Sequence, residues 1–269
     1  MVGLKPTLGR VPNETAPDAF GSFFFVGPMA RTVADVRLLL SVIEGFCPAD
    51  PYSGLPSVAR RRDGPVRIGF VEQFGTNPTS EAVAGVVGAA VERLTACGCV
   101  VGPMRPACFE GLFSAYQVLA TTAHATRFGH LAEATSLTTS MRESIGIGRR
   151  WTGMDLLAAQ DRRTALFRAV QVLFERVDVI ATPTMTAPPP GLDFGGSIAT
   201  DAFGAWAAPL YPFNMTGHPA VSVPAGFTAE GLPVGLQLVG PWQADSMLLD
   251  VAEMVETVLG LDCWPELAA

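Results

Sequence analysis

The pattern of apolar and polar positions is organised around residues 213–241, FNMTGHPAVSVPAGFTAEGLPVGLQLVGP. An apolar run stops at Gly217, and Pro219 forbids its continuation as helix. Residues 220–223 and 234–239 then read as two strands around the turn chemistry of residues 226–233. Both strands are apolar on both faces, the pattern of strands buried beneath helices. Gln237 breaks that pattern. A buried amide there has to be hydrogen-bonded, because leaving it unpaired costs about 1–3 kcal/mol. The spacing therefore reads as a helix end, a strand, a hairpin and a second strand.

The rest of the chain alternates between the two periods. Thr32 and Asp35 mark a helix start, and Val33, Val36, Leu39, Leu40 and Ile43 recur at helical spacing up to Gly45. Residues 67–72 predict a strand. A helix capped by Thr79 or Ser80 follows through residue 95, and residues 99–101 predict a second strand. That succession implies a parallel βαβ unit. Residues 109–136 predict a helix, and residues 141–150 a short one broken near Gly146 and Gly148. Residues 155–176 predict the longest helix, feeding a buried strand at 177–181. A last amphipathic helix covers 246–259, with Asp245 as its cap. Residues 1–31, 47–65 and 183–200 are rich in Pro and Gly, and a loop as long as the third is usually functional or mobile. No internal repeat is visible. The predicted fold class is α/β, with three or four strands of one mixed sheet covered by helices on both faces.

Composition narrows the function classes. The 269 residues carry a formal net charge of −7, which argues against a nucleic-acid binder with its basic face. Hydrophobic residues make up 49% and charged ones only 16%, below the usual quarter or so. No uncharged apolar run reaches the roughly 18 residues of a membrane span. The apolar excess calls instead for a large core or a covering partner, and an exposed strand edge would favour self-association into a homo-oligomer. Cys47, Cys97, Cys99, Cys108 and Cys263 form no zinc or redox spacing, and the N-terminus shows no signal segment. Reduced thiols and a cytoplasmic location are the expectation.

Few side chains group as catalysts. Gly195, Ser197 and Ala199 approach the Gly-x-Ser-x-Gly elbow, with Asp201 and His218 following in triad order, but no strand precedes the serine. His124, His130 and His218 lack acidic partners at ligand spacing, so no metal is expected. The Arg60-Arg61-Arg62 run, next to Asp63, reads as a solvated loop. Asn214 and Thr216 either face a cleft at the corner before a strand or bond the local backbone. Gln237 serves either the core or the support of a site. No cofactor motif is present.

The same stretches resemble a family. Asn214, Thr216, Gly217, Pro219, Ala220, Ser222, residues 224–226 and then residues 231–241 resemble the C-terminal signature of the amidase-signature hydrolases. Residues 2–7 (VGLKPT) with 9–12, residues 27–36 (GPMARTVADV) with 38–40, and residues 178–184 (DVIATPT) follow in family order. The resemblance implies that residues 1–269 are the C-terminal part of one amidase-like domain. Residues 1–65 would be a loop-rich segment with one helix, and residues 66–269 the α/β body.

It also implies an absence. The family's nucleophilic Ser, its bridging Ser and its Lys all precede the Gly-Leu-Lys-Pro-Thr block, which here is residues 3–7. Lys5 is the only lysine in the chain, and a Ser–Lys mechanism needs a lysine close to its serine. The expectation is an amide hydrolase lacking its own nucleophile and base. It would act on a small-molecule amide with a missing N-terminal part or a partner chain. The alternative is a non-catalytic binding module that kept the fold. Met141, Ile145 and Trp151 stand where the family's variable region builds the acyl pocket, as candidates beside ordinary helix packing. The family's amidotransferase subunits typically carry an Asp shortly before the Gly-Pro. Phe23, Phe24 and Phe25 stand here instead, which makes the chain look more like the general amidases.

Overall fold

The computed structural model describes residues 1–21, 24–58, 64–191, 197 and 200–261. Phe23, the Arg60–Arg62 run, Asp63, Gly195, Gly196, Ala199 and Cys263 lie outside the described residues.

The described strands form one mixed seven-stranded sheet, ordered β2-β1-β6-β7-β5-β3-β4. They are β1 (Val2–Lys5), β2 (Met29–Ala30), β3 (Arg67–Phe70), β4 (Val100–Pro103), β5 (Val179–Pro183), β6 (Ala220–Phe227) and β7 (Pro233–Val239). Seven strands thus stand where three or four were expected, and two of them lie in the segment read as loop-rich. β1 pairs antiparallel with both β2 and β6, so its partners come from opposite ends of the sequence. The expected βαβ unit is present. β3 and β4 run parallel, joined by α2 (Glu81–Ala96), whose N-cap is Ser80.

Helices cover both faces. On one face, α1 (Val33–Ile43), α2 and α8 (Asp245–Leu259) bury Val36, Leu40, Val87, Leu94, Leu248 and Val255 against Val179, Val221 and Leu238. On the other, α3 (Leu112–Phe128), α5 (Gly153–Leu173) and α7 (Tyr211–Thr216) pack Leu119, Leu166, Phe174 and Phe213 onto Ile180 and Val239. α4 (Thr139–Gly148) lies against α3, and α6 (Asp201–Trp206) precedes α7. The starts of α1 and α5 are fixed by side chains. Thr32 accepts from the Asp35 amide, and Thr152 and Asp155 form a capping box. Gly217 ends α7 with φ 71°, a left-handed conformation that a β-carbon would disfavour.

Two local readings change. α4 continues through Gly146 and ends at Gly148, because a glycine costs a helix only about 1 kcal/mol and the packing of α4 on α3 outweighs that. Asp245 is the first residue of α8, not its cap; Ala244 holds that position. The Asp245 carboxylate is spent on a distant loop instead.

Candidate functional site

The polar groups that interrupt the apolar sheet align. Ser222 on β6 and Thr182 on β5 both stand opposite Gln237 on β7, and Gly3 on β1 stands opposite Ser222. Directly paired residues share a face, so this row crosses four strands on the α6–α7 side. Gln237 is 4% exposed. Its amide nitrogen donates to Thr182 Oγ1 at 3.0 Å and to the Pro209 carbonyl at 2.9 Å. The amide ties the sheet to the loop before α7, which settles its hydrogen bonds as the sequence requires.

Two residues further along, on the same face by the strand period, the row thins. Gly235 offers no side chain, and Thr184 follows the end of β5. The Thr184 and Ser222 hydroxyls meet across that gap at 2.7 Å. A β-carbon at Gly235 would lie 2.6 Å from Thr184 Oγ1 and 2.8 Å from Ser222 Oγ. Beside this pair opens a cavity of about 400 Å³. Its walls include Met185, Trp206, Ser222, Val223, Phe227 and Val234. The Trp206 indole is held by its bond to the Ala187 carbonyl at 3.1 Å, and Thr186 ties the same loop to Ala205.

A second polar cluster lies where β1 meets the α7–β6 corner. Lys5 directs its ammonium at the carbonyls of His218 and Pro6, and over the Phe25 ring at 4.1 Å from the centroid. Burial lowers its pKa to about 7, against a smaller upward pull from Asp245. His218 is fully buried. Nδ1 lies 2.9 Å from Thr216 Oγ1 and Nε2 lies 3.2 Å from Gln171 Oε1, with Phe167, Phe174 and Trp242 around the ring. Burial, and then the Lys5 charge, depress its pKa to about 3. This histidine is a neutral core residue.

The structure distributes the residues singled out by sequence. Met141 and Ile145 sit one turn apart on α4, with Ile145 buried and Met141 half-buried. Trp151 donates from Nε1 to Thr121 Oγ1 at 2.8 Å, fastening the α4–α5 junction to α3. Asn214 is half-buried on α7, and the Thr216 hydroxyl is engaged by His218. None of these five residues lines the cavity beside Ser222. Ser197 is fully buried and directs its hydroxyl at the Ser140 carbonyl, while both His218 nitrogens are bonded elsewhere. The triad order therefore joins no triad. Sequence reasoning passed over Thr184 and Ser222 as functional residues. The available signal was a hydroxyl at alternate positions of strands that are otherwise apolar. Among the described residues, no group of three or more His, Cys, Asp or Glu could hold a metal ion.

Comparison with known proteins places this architecture. The family model described as Amidase matches residues 1–249. The chain is 31% identical over 274 residues to the putative amidase AmiA2 of Mycobacterium tuberculosis, covering 97% of this chain and 56% of that protein. It is 32% identical over 292 residues to a glutamyl-tRNA(Gln) amidotransferase subunit of Synechococcus sp., covering 95% and 59%. These near-equal identities place amidases and amidotransferase subunits side by side among its relatives. Among solved structures, 6-aminohexanoate cyclic dimer hydrolase superposes with a TM-score of 0.80 at 25% identity, covering 97% of this chain and 61% of that one. The chain thus spans a little over half the length of these relatives.

Proposed function

The chain belongs to the amidase family, and on that premise we propose that it is the C-terminal part of a hydrolase of carboxamide C–N bonds. In this reading it supplies sheet, helical cover and substrate wall, while the nucleophile and its base come from an N-terminal part or a partner chain. The family match over residues 1–249 carries the proposal. The state of the polar side chains supports the division of labour. The single lysine is directed at backbone carbonyls, Ser197 is buried and bonded, and His218 is enclosed among aromatic rings. In the complete site a serine would attack the amide carbonyl, a bridging serine and a lysine would relay its proton, and backbone N–H groups would hold the oxyanion. Met141, Ile145, Trp151, Asn214 and Thr216 remain candidates for the wall, with Gln237 supporting it from the sheet.

The partners in this reading are a neutral small-molecule amide and the complementary part, not nucleic acid or membrane. No described helix is long and apolar enough to cross a membrane. Cys47, Cys97, Cys99 and Cys108 are free thiols, which agrees with a cytoplasmic setting. Outward-facing Leu38, Val42 and Phe46, on and just after α1, favour self-association.

The test is labelling with a fluorophosphonate probe. The lone chain should stay unlabelled. Adding an N-terminal amidase part should give stoichiometric labelling on that part. Labelling of the lone chain that disappears in Ser197→Ala overturns the division of labour. No labelling in any combination favours a non-catalytic module with an amidase fold.

A further inference from the structure

The cavity beside β6 and β7 carries information about what it would hold. None of the described residues lining it has a charged side chain. Met1 lines it too, so the chain's α-amino group lies at one wall; a cationic ligand entering the cavity would lose hydration without gaining an ion pair, which is costly. Its volume of about 400 Å³ falls within the range of small-molecule pockets, about 300–1,000 Å³. Most of its wall is apolar, from Val83, Met185, Val223, Phe227 and Val234, with the Trp206 ring alongside.

The polar exception is the Thr184–Ser222 pair. Each hydroxyl carries one proton. At 2.7 Å one of the two donates to the other, which uses one proton and leaves the second. Neither side chain makes another hydrogen bond among the described residues. The cavity therefore offers one free O–H donor at its floor and no charged side chain. Gly235 keeps the floor open, since any β-carbon there would press on both oxygens.

We infer that this cavity binds an uncharged, apolar carboxamide, with the Thr184–Ser222 pair donating its spare proton to the amide carbonyl oxygen and the aliphatic and aromatic wall enclosing the chain or ring. The inference rests on the amidase reading for its ligand class, and it extends that reading by naming residues and a charge rule. The pair holds the ligand; it is not placed among the reacting groups.

The experiment titrates the full 269-residue chain with hexanamide, hexylammonium and toluene, followed by tryptophan fluorescence. Hexanamide and toluene should bind saturably, and hexylammonium should bind at least about tenfold more weakly. The Thr184→Val/Ser222→Ala double variant should lose about tenfold in hexanamide affinity, the size of one hydrogen bond, and keep its toluene affinity. Phe227→Asp, at a half-exposed position that tolerates a charge, should weaken both. Three outcomes overturn the inference: no saturable binding of hexanamide, equal binding of hexylammonium, or a double variant that loses toluene as much as hexanamide. Fluorophosphonate labelling of the complemented enzyme without hexanamide binding overturns the cavity and spares the amidase reading. Hexanamide binding without labelling in any combination does the reverse.

Discussion

The Thr7 backbone amide lies 2.8 Å from Oδ1 of Asp245, and the Thr7 hydroxyl lies 2.6 Å from Oδ2. One carboxylate, 1% exposed, thereby fixes the loop after β1 to the first turn of α8. The Gln243 backbone N–H adds a third bond by donating to Thr7 Oγ1 at 3.2 Å. Asp245→Ala removes both acceptors and strands a buried N–H. It should destabilise the chain by about 2–4 kcal/mol. Thr7→Val, which keeps the backbone bond, should cost less than half as much. Urea denaturation of the two variants checks the order, and equal losses would mean that the backbone bond contributes little.

Gln237→Leu replaces an amide that donates to Thr182 and to the Pro209 carbonyl. The leucine fits a buried strand but leaves that carbonyl without its donor. A loss of about 1–3 kcal/mol is expected. Gln237→Glu, which cannot donate when ionised, should lose at least as much near neutral pH. A neutral effect of the leucine variant would show that water takes over the bond.

Acid should weaken the fold through His218. Its unfolded value is near 6.5 and its folded value about 3, so between these limits the unfolded chain binds the extra proton. Stability rises with pH wherever that holds. The contribution of neutral His218 is therefore complete above pH 6.5 and is lost as the pH falls toward 3. The slope in that window reaches at most about 1.4 kcal/mol per pH unit. Lys5, lowered from 10.5 to about 7, adds stability in the same sense as the pH rises from 7 to 10.5. Unfolding free energies measured from about pH 4 to 7 should show a shallower slope in His218→Phe than in the parent chain. Parallel slopes would exclude His218 as the titrating group.

Gly148 and Gly146 make opposite predictions within one helix. A β-carbon at Gly148 would fall 2.0 Å from the Thr121 carbonyl oxygen, so Gly148→Ala must separate α4 from α3. That overpacking should cost about 1–3 kcal/mol and strain the neighbouring Trp151–Thr121 bond. Nothing lies within 4 Å of a β-carbon at Gly146. Gly146→Ala should stabilise by about 0.5–1 kcal/mol through helix propensity. Thermal midpoints moving in opposite directions would confirm both.

How far the fold could be read depended on the reach of each contact. α2 and its two strands, the Thr32 and Ser80 caps and the stop at Gly217 rest on residues within a few positions of one another, and the period of the apolar residues exposes them. β1 and β2 escaped because two to four residues become strands only through their partners, β2 through β1 and β1 through β6 far along the chain. Asp245 looked like a cap because a carboxylate at a helix start usually is one; only the fold brings Thr7 within its reach. The cavity was hidden for the same reason. Thr184 and Ser222 are 38 positions apart, and neither hydroxyl is unusual by itself. Gln237 was legible because an amide between Leu236 and Leu238 has to be paired wherever the strand lies.

The place of β1 also sets a timetable for synthesis. Gly3 finds its sheet partner in Ser222, so β1 waits until β6 has left the ribosome. At about 5–20 residues per second, that wait is on the order of ten to forty seconds. β3, α2 and β4 close within residues 67–103 and can assemble during the interval. β5 can join β3 once it has emerged, but β6 and β7, which fill the gap between β1 and β5, are the last strands to be made. A nascent chain that is 49% hydrophobic would spend that time with β1 and one edge of β5 lacking their neighbours, exposed to chaperones and to other copies of itself.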